Sequence, residues 1–182
     1  MNTAVSLPIS AADVTPATPL STALLALNNA HARELSWLEA PRLAYLVDQS
    51  FFARRVGQLD AFLLAFDQDA DYDSPNFLWF RERYERFVYV DRIVVASSAR
   101  GRGLARLLYV ELFAEAARAR HSSVVCEVNS EPPKPASDAF HAALEFSEVG
   151  SASIHNGSKT VRYLLRRVDR QAAVAGGSAS TE

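Results

Sequence analysis

The sequence predicts one layered domain of the α/β (α+β) type, a mixed central sheet flanked by helices. Three observations carry that prediction. A β-branched and aromatic run, Phe87–Val95, sits mid-chain between segments of helical periodicity. A second apolar run, Ser123–Val128, follows a long amphipathic segment from Leu104 to about Ala119. The chain then closes on two extended stretches around Asn156-Gly157, a favoured hairpin turn. With 182 residues, 49% of them hydrophobic, the chain has enough apolar material for one proper core.

The elements follow in order. Residues 1–20 carry Pro8, Pro16 and Pro19 and read as a weakly ordered segment, with Val5–Ile9 as a candidate edge strand. The domain proper is expected over 21–168. Ser21 is a serviceable N-cap for a helix reaching His31 on Leu24, Leu25 and Leu27. Pro41 marks the start of a second helix through Leu43, Leu46 and Val47. Phe51–Val56 and Leu59–Phe66 read as two strands around a tight Gly57-Gln58 turn. The Asp-rich stretch from Asp67 to Pro75 is a loop, and Phe77–Tyr84 a short helix. A strand at 87–96, a loop, a helix at 103–119 and a strand at 123–128 come next. Glu131-Pro132-Pro133-Lys134-Pro135 must be a loop, since prolines cannot continue regular structure. A short helix begins at Ser137 or Asp138 and runs through Leu144; Phe146–Ile154 and Lys159–Val168 form the closing pair. The tail 169–182 is expected to be disordered.

Composition excludes several classes. A formal charge of −2 gives no global pull toward nucleic acid or an anionic membrane. Cys126, the single cysteine, rules out an internal disulfide and fits a reducing compartment. No run of about eighteen apolar residues exists, so no membrane span is expected. No basic stretch precedes an apolar N-terminal one, which leaves the cytoplasm as the default. His31, His121 and His155 lack partners at metal-ligand spacing, and no metal is expected.

The most specific signal is Arg100-Gly101-Arg102-Gly103-Leu104-Ala105, between a strand and a helix N-terminus. Backbone N–H groups at such a turn, with the helix dipole behind them, hold a phosphate or pyrophosphate. Gly101 and Gly103 let the backbone approach an anion, while Arg100, Arg102 and Arg106 add charge. A P-loop is excluded, because no Gly-Lys-Ser/Thr follows. A dinucleotide fingerprint fails because Arg106 stands at its third glycine, and Ala96–Arg100 separate the strand from the turn. What remains is Arg-x-x-Gly-x-Ala, with Arg100, Gly103 and Ala105. It resembles the pyrophosphate motif of the GNAT superfamily of acetyl-CoA-dependent acyltransferases. Phe140-His141-Ala142-Ala143-Leu144-Glu145-Phe146 is similar to that family's Phe-Tyr-x-x-x-Gly-Phe pattern. His141 there replaces the usual tyrosine, Glu145 the glycine, and Lys134 a common asparagine.

The resemblance covers roughly residues 21–168. It implies a mostly antiparallel sheet whose middle strands, Phe87–Val95 and Ser123–Val128, splay apart to admit coenzyme A. Acetyl-CoA is the implied cosubstrate, its pyrophosphate on Arg100 to Arg106 (with Gly101, Arg102, Gly103, Leu104 and Ala105 between). Its pantetheine arm would lie along Ile93, Val94 and Val95, with Asn129, Ser137 and Phe140 nearby, and the Ile93 amide would polarise the carbonyl. Asn129 also reads as a strand-ending turn residue, and Ser137 as a helix cap.

Asp91 is the candidate base, with Tyr89 beside it, since alternation puts Tyr89, Asp91 and Ile93 on one strand face. Asp91 also reads as an arginine partner or the cap of a bend. His141 is the candidate acid for the leaving thiolate, or a packing residue. The implied reaction is direct attack by a primary amine of a small molecule, an amino acid or a protein N-terminus. The loop Asp67–Asp73 would offer a cationic acceptor an electronegative rim, or is an ordinary soluble loop. The alternative function is a non-catalytic acyl-CoA-binding or interaction module on the same fold. The terminal strands leave a homodimer open.

Overall fold

Alternating apolar residues in the middle of the chain zip into a seven-stranded sheet in the computed structural model. The structure describes residues 4–16, 18–33, 35–130, 135–154 and 159–168. The strands are β1 (Ser6–Pro8), β2 (Phe52–Val56), β3 (Ala61–Asp67), β4 (Phe87–Val95), β5 (Ser123–Asn129), β6 (Ser147–Ile154) and β7 (Lys159–Arg167). Their order is β1-β2-β3-β4-β5-β7-β6, and only β4 and β5 run parallel. Helices α1 (Pro19–Asn29), α2 (Ala40–Gln49) and α3 (Pro75–Arg81) cover one face. Helices α4 (Leu104–Arg118) and α5 (Pro135–Ala143) lie on the other.

Two irregularities at the sheet's centre shape everything that follows. The parallel β4–β5 pair lasts three rungs, Phe87 opposite Ser123, Val88 opposite Val124 and Tyr89 opposite Val125. Beyond it β4 stays with β3, as far as Val95 opposite Ala61, and β5 stays with β7, as far as Asn129 opposite Val161. The two strands therefore diverge, as the resemblance implies. The second irregularity is a bulge: Leu64 faces Arg92 and Ala65 faces Val90, so Asp91 has no opposite number. An extra residue shifts the two-residue period and sends later side chains to the other face. Tyr89 joins the α1–α3 core, whereas Ile93 and Val95 pack toward α4 with Val88 and Val90. The expected grouping of Tyr89, Asp91 and Ile93 on one face is thus corrected by the bulge.

In the N-terminal segment, β1 lies within the edge strand expected over Val5–Ile9. β1 pairs with β2 through Ser6 opposite Val56, and Ile9 and Val14 are buried in the core. Helix α1 starts at Pro19, two residues early, because Thr18 accepts the Ser21 amide and makes Thr18 the N-cap rather than Ser21. Ser137 lies within the first turn of α5 instead of capping it. The Asn156-Gly157 turn, His155, Lys134 and the tail 169–182 lie outside the described residues. Phe77 and Phe80 are fully buried, and Trp79 stacks on Tyr163 at 4.2 Å between ring centres, so these aromatics build the core.

Helix α5 ends in a paired-bond C-cap. The Phe146 amide bonds the His141 carbonyl and the Glu145 amide the Ala142 carbonyl, with Glu145 at φ 63°. That left-handed position is where a glycine is favoured, and it accounts for the resemblance's glycine at 145. Helix α4 ends the same way, with Arg120 at φ 64°.

Candidate active site

The site is assembled from the β4–α4 turn and the gap between β4 and β5. Ser97–Ala99 form one helical turn, after which Gly101 and Gly103 adopt φ of 75° and 74°. Gly103 caps α4 without a side-chain hydrogen bond, leaving first-turn amides free. A Cβ at either glycine would meet nothing within 4 Å. The turn is thus open space bounded by main-chain donors, a fit for a diphosphate. Arg102 is tied to Asp60 at 2.9 Å, while Arg100 and Arg106 are exposed. Leu104 is buried in the core, so it offers the turn only its backbone.

A cavity of about 330 Å³ fills the gap between the splayed strands. Its walls are β4 from Tyr89 to Ile93 and β5 from Cys126 to Asn129. Tyr109, Ser137 and His141 bound it on the α4–α5 side, and Tyr72, Ser74 and Asn76 on the other. Ile93 and Val95 are half-buried, Val94 is buried in the α1–α3 core, and Phe140 packs against Tyr109 at 5.6 Å between rings.

Glu127 lines this cavity, as do the ionisable side chains of Asp91, Arg92 and His141. Tyr89 donates to its Oε2 at 2.8 Å and the Asn76 amide to its Oε1 at 3.0 Å. The Tyr163 hydroxyl donates in turn to Asn76 Oδ1 at 3.1 Å. Burial pushes the Glu127 pKa up to about 7, against the lowering effect of the Tyr89 hydrogen bond; the nearby Asp91 charge adds to the rise. In the sequence Glu127 is one letter of the Ser123–Val128 strand run. The signal available was a lone carboxylate in an otherwise apolar run.

Asp91 lies between Arg92 and Tyr72. Its Oδ2 pairs with Arg92 Nε at 2.5 Å, and its Oδ1 accepts the Tyr72 hydroxyl at 2.5 Å. Arg92 also donates to Asn28 Oδ1 at 2.8 Å, and both charged side chains are almost wholly buried. The arginine-partner reading describes this carboxylate, whose oxygens are both engaged. Tyr89 serves Glu127 as a donor; burial and the Glu127 charge hold its own pKa well above the usual phenol range.

His141 is buried, 2.8 Å from the Ser137 carbonyl through Nδ1. A carbonyl only accepts, so Nδ1 carries the hydrogen and Nε2 is left as an acceptor. Tyr109 supplies its hydroxyl to Nε2 at 3.3 Å. Burial lowers the His141 pKa below the ordinary imidazole value. The neutral ring therefore has no proton on the nitrogen that faces Tyr109.

A model of the acetyltransferase (GNAT) family matches residues 26–146, more than half of the chain, and the protein belongs to that family. The solved structure of NAA60 from Arabidopsis thaliana in complex with acetyl-CoA is similar, with 16% identity, TM-score 0.65, and 91% of this chain and 99% of that one covered. The acetyltransferase yncA from Salmonella typhimurium, with its cofactor acetyl-CoA, matches at 14% identity and TM-score 0.66 over 100% and 99%. The ribosomal-protein-S18-alanine N-acetyltransferase from Escherichia coli matches at 14% and 0.62 over 98% and 99%. At such identities the likeness is one of fold. No curated protein matches the chain by sequence. Among the described residues, no group of three or more metal-ligating side chains is present, and no helix is long and apolar enough to cross a membrane.

Proposed function

We propose that the protein moves an acetyl group from acetyl-CoA to a primary amine of a small molecule, an amino acid or a protein N-terminus, with Glu127 as general base. The observation that carries this reading is a carboxyl group fixed by Tyr89 and Asn76 in the gap between the two diverging strands, where burial raises its pKa. When bound, the thioester supplies an activated acyl carbonyl. The chain's own residues do the rest. Amides of Gly101 to Ala105 hold the diphosphate, and Arg100 and Arg106 add charge at its rim. Beyond Tyr89, β4 has no partner strand on its β5 side, so its backbone is free to pair with the amides of the pantetheine arm and to meet the acyl oxygen, Ile93 foremost. Glu127 takes the proton from the incoming amine, directly or through one water, and Tyr89 and Asn76 fix where its oxygens sit.

The acceptor's approach is from the α1–α3 side, past Tyr72, Ser74 and Asn76. Thiol release from acetyl-CoA with a panel of amines and peptides tests the reading, with coenzyme binding measured in parallel. Wild-type turnover on at least one amine is expected, with a loss of about 100-fold in Glu127→Gln at unchanged coenzyme affinity. Tight binding with no turnover on any acceptor would favour the non-catalytic module instead.

A further inference from the structure

We propose that Arg92 anchors the acceptor: its Nη2 group donates to a carbonyl or carboxylate oxygen attached to the amine-bearing carbon. The inference rests on the acetyl-transfer reading and narrows it, from any primary amine to one that carries such an oxygen. Neighbouring side chains on a regular strand point to opposite faces. At the β4 bulge they do not: Asp91 reaches Tyr72 and Arg92 reaches Asn28 of α1, both on the α1–α3 side. Bulges re-aim side chains in this way beside binding sites. Both residues line the cavity that Glu127 lines, and the Asp91 charge is near enough to act on Glu127. The bulge thus brings a guanidinium to the side of the cavity where the amine meets its base.

A guanidinium has five N–H donors and no acceptor. Arg92 is 4% exposed, so each donor needs a partner. Its Nε serves Asp91 at 2.5 Å and its Nη1 serves Asn28 Oδ1 at 2.8 Å. Nη2 takes no protein acceptor among the described residues. Nor is it sealed off: the fully buried side-chain atoms without a partner there include Arg55 Nε and Arg166 Nε, but no atom of Arg92. Nη2 therefore opens on the cavity that Arg92 lines. The guanidinium is also held in place. Tyr72 fixes Asp91, and Asn28 is tied in turn to the Ser36 carbonyl at 2.9 Å. Charge ranks the partners. Asp91 cancels the Arg92 charge, and ionised Glu127 leaves the site negative, which suits a cationic amine. An uncharged carbonyl completes the Nη2 bond without adding a further negative group, so an α-amino amide should outrank its free acid.

Thiol release from acetyl-CoA with matched acceptors tests this, with rates referred to the free base. Each set holds an α-amino amide, its free acid, and the alkylamine with methyl in place of the carbonyl group. Sets are made with the side chains of alanine, leucine and phenylalanine. In wild type the better oxygen-bearing acceptor should exceed its alkylamine at least about tenfold in kcat/KM, since a site built to bond an oxygen rejects the analogue lacking it. Arg92→Lys keeps a cation beside Asp91 but loses the fork, and should bring that ratio to within about threefold of one. A merely structural arginine would lower all three acceptors together and leave the ratio as it was, which overturns the inference. If Arg92→Lys does not fold, Arg92→Met/Asp91→Asn removes both charges and is read in the same way. Wild-type turnover with no preference for the oxygen also overturns the inference and leaves the acetyl-transfer reading standing. If the acid leads the amide, the anchor stands with a carboxylate as its oxygen. No thiol release with any acceptor, coenzyme bound, overturns both.

Discussion

Glu127 is a carboxyl group that burial keeps half-protonated near neutral pH, and two measurable consequences follow. Since a base works only when ionised, kcat/KM should climb as pH rises through about 7 and level off above it. A rate profile already flat from pH 5 upward would contradict the assignment. The second consequence is in stability. The folded chain holds the Glu127 proton up to about 7, whereas the unfolded chain loses it near the ordinary 4.5. Across that window the native state binds more protons, so this residue makes stability fall as pH rises. Glu127→Gln should flatten that slope and unfold at a higher temperature than wild type at pH 8, with the gain gone below pH 4.5. Equal melting at both pH values would count against a strained carboxylate. The sequence pointed to Asp91 because it is a carboxylate on the strand that leads into the Arg100–Ala105 turn. What it could not show is that Arg92 and Tyr72 consume that carboxylate. Nor could it show that Glu127 meets Asn76 across 51 residues of chain. The proton on His141 was equally invisible, since the Ser137 carbonyl decides it only once α5 is folded.

Most elements were readable, because hydrophobic period and turn chemistry agreed along the chain. β2 and β3 around Gly57, β4, α4 and β5 lie within a few residues of where alternation and glycine placed them. The bulge at Asp91 was not, for Tyr89 to Val95 is a mostly apolar run in which no letter marks an extra residue. Nor was the order of Ile9 and Val14, whose burial depends on β1 finding β2 some fifty residues later. The helix ends carry their own prediction. Glu145 and Arg120 occupy left-handed C-cap positions that cost a residue with a Cβ about 1 kcal/mol. Glu145→Gly and Arg120→Gly should each stabilise by roughly 0.5–1 kcal/mol in denaturant titration. The Glu145–Arg166 pair lost in the first is mostly solvent-exposed on the Glu145 side and worth little. A drop in stability in both variants would mean that these side chains hold the caps. At the other end of α4, Gly103→Val places a branched side chain at φ 74° in the open turn. It should cost at least about tenfold in acetyl-CoA affinity by calorimetry, and unchanged affinity would remove the turn from the binding site.

Among the described residues, one sheet separates two cores and opens between β4 and β5. The short parallel pair from Phe87 to Tyr89 holds β4 and β5 together at one end, and the bulge and the loss of pairing release them at the other. Along this opening Glu127 turns to the α1–α3 side, and Cys126 and Val128 to the α4–α5 side. The central claim is that the coenzyme lies along this opening, diphosphate on the Gly101–Ala105 turn and thiol arm between the strands. Backbone amide NMR during titration with desulfo-coenzyme A tests it most directly. The account predicts the largest shifts at Ile93–Val95, Gly101–Ala105 and Cys126–Asn129. Binding that leaves those amides unmoved, with the shifts gathered elsewhere on the surface, would contradict it.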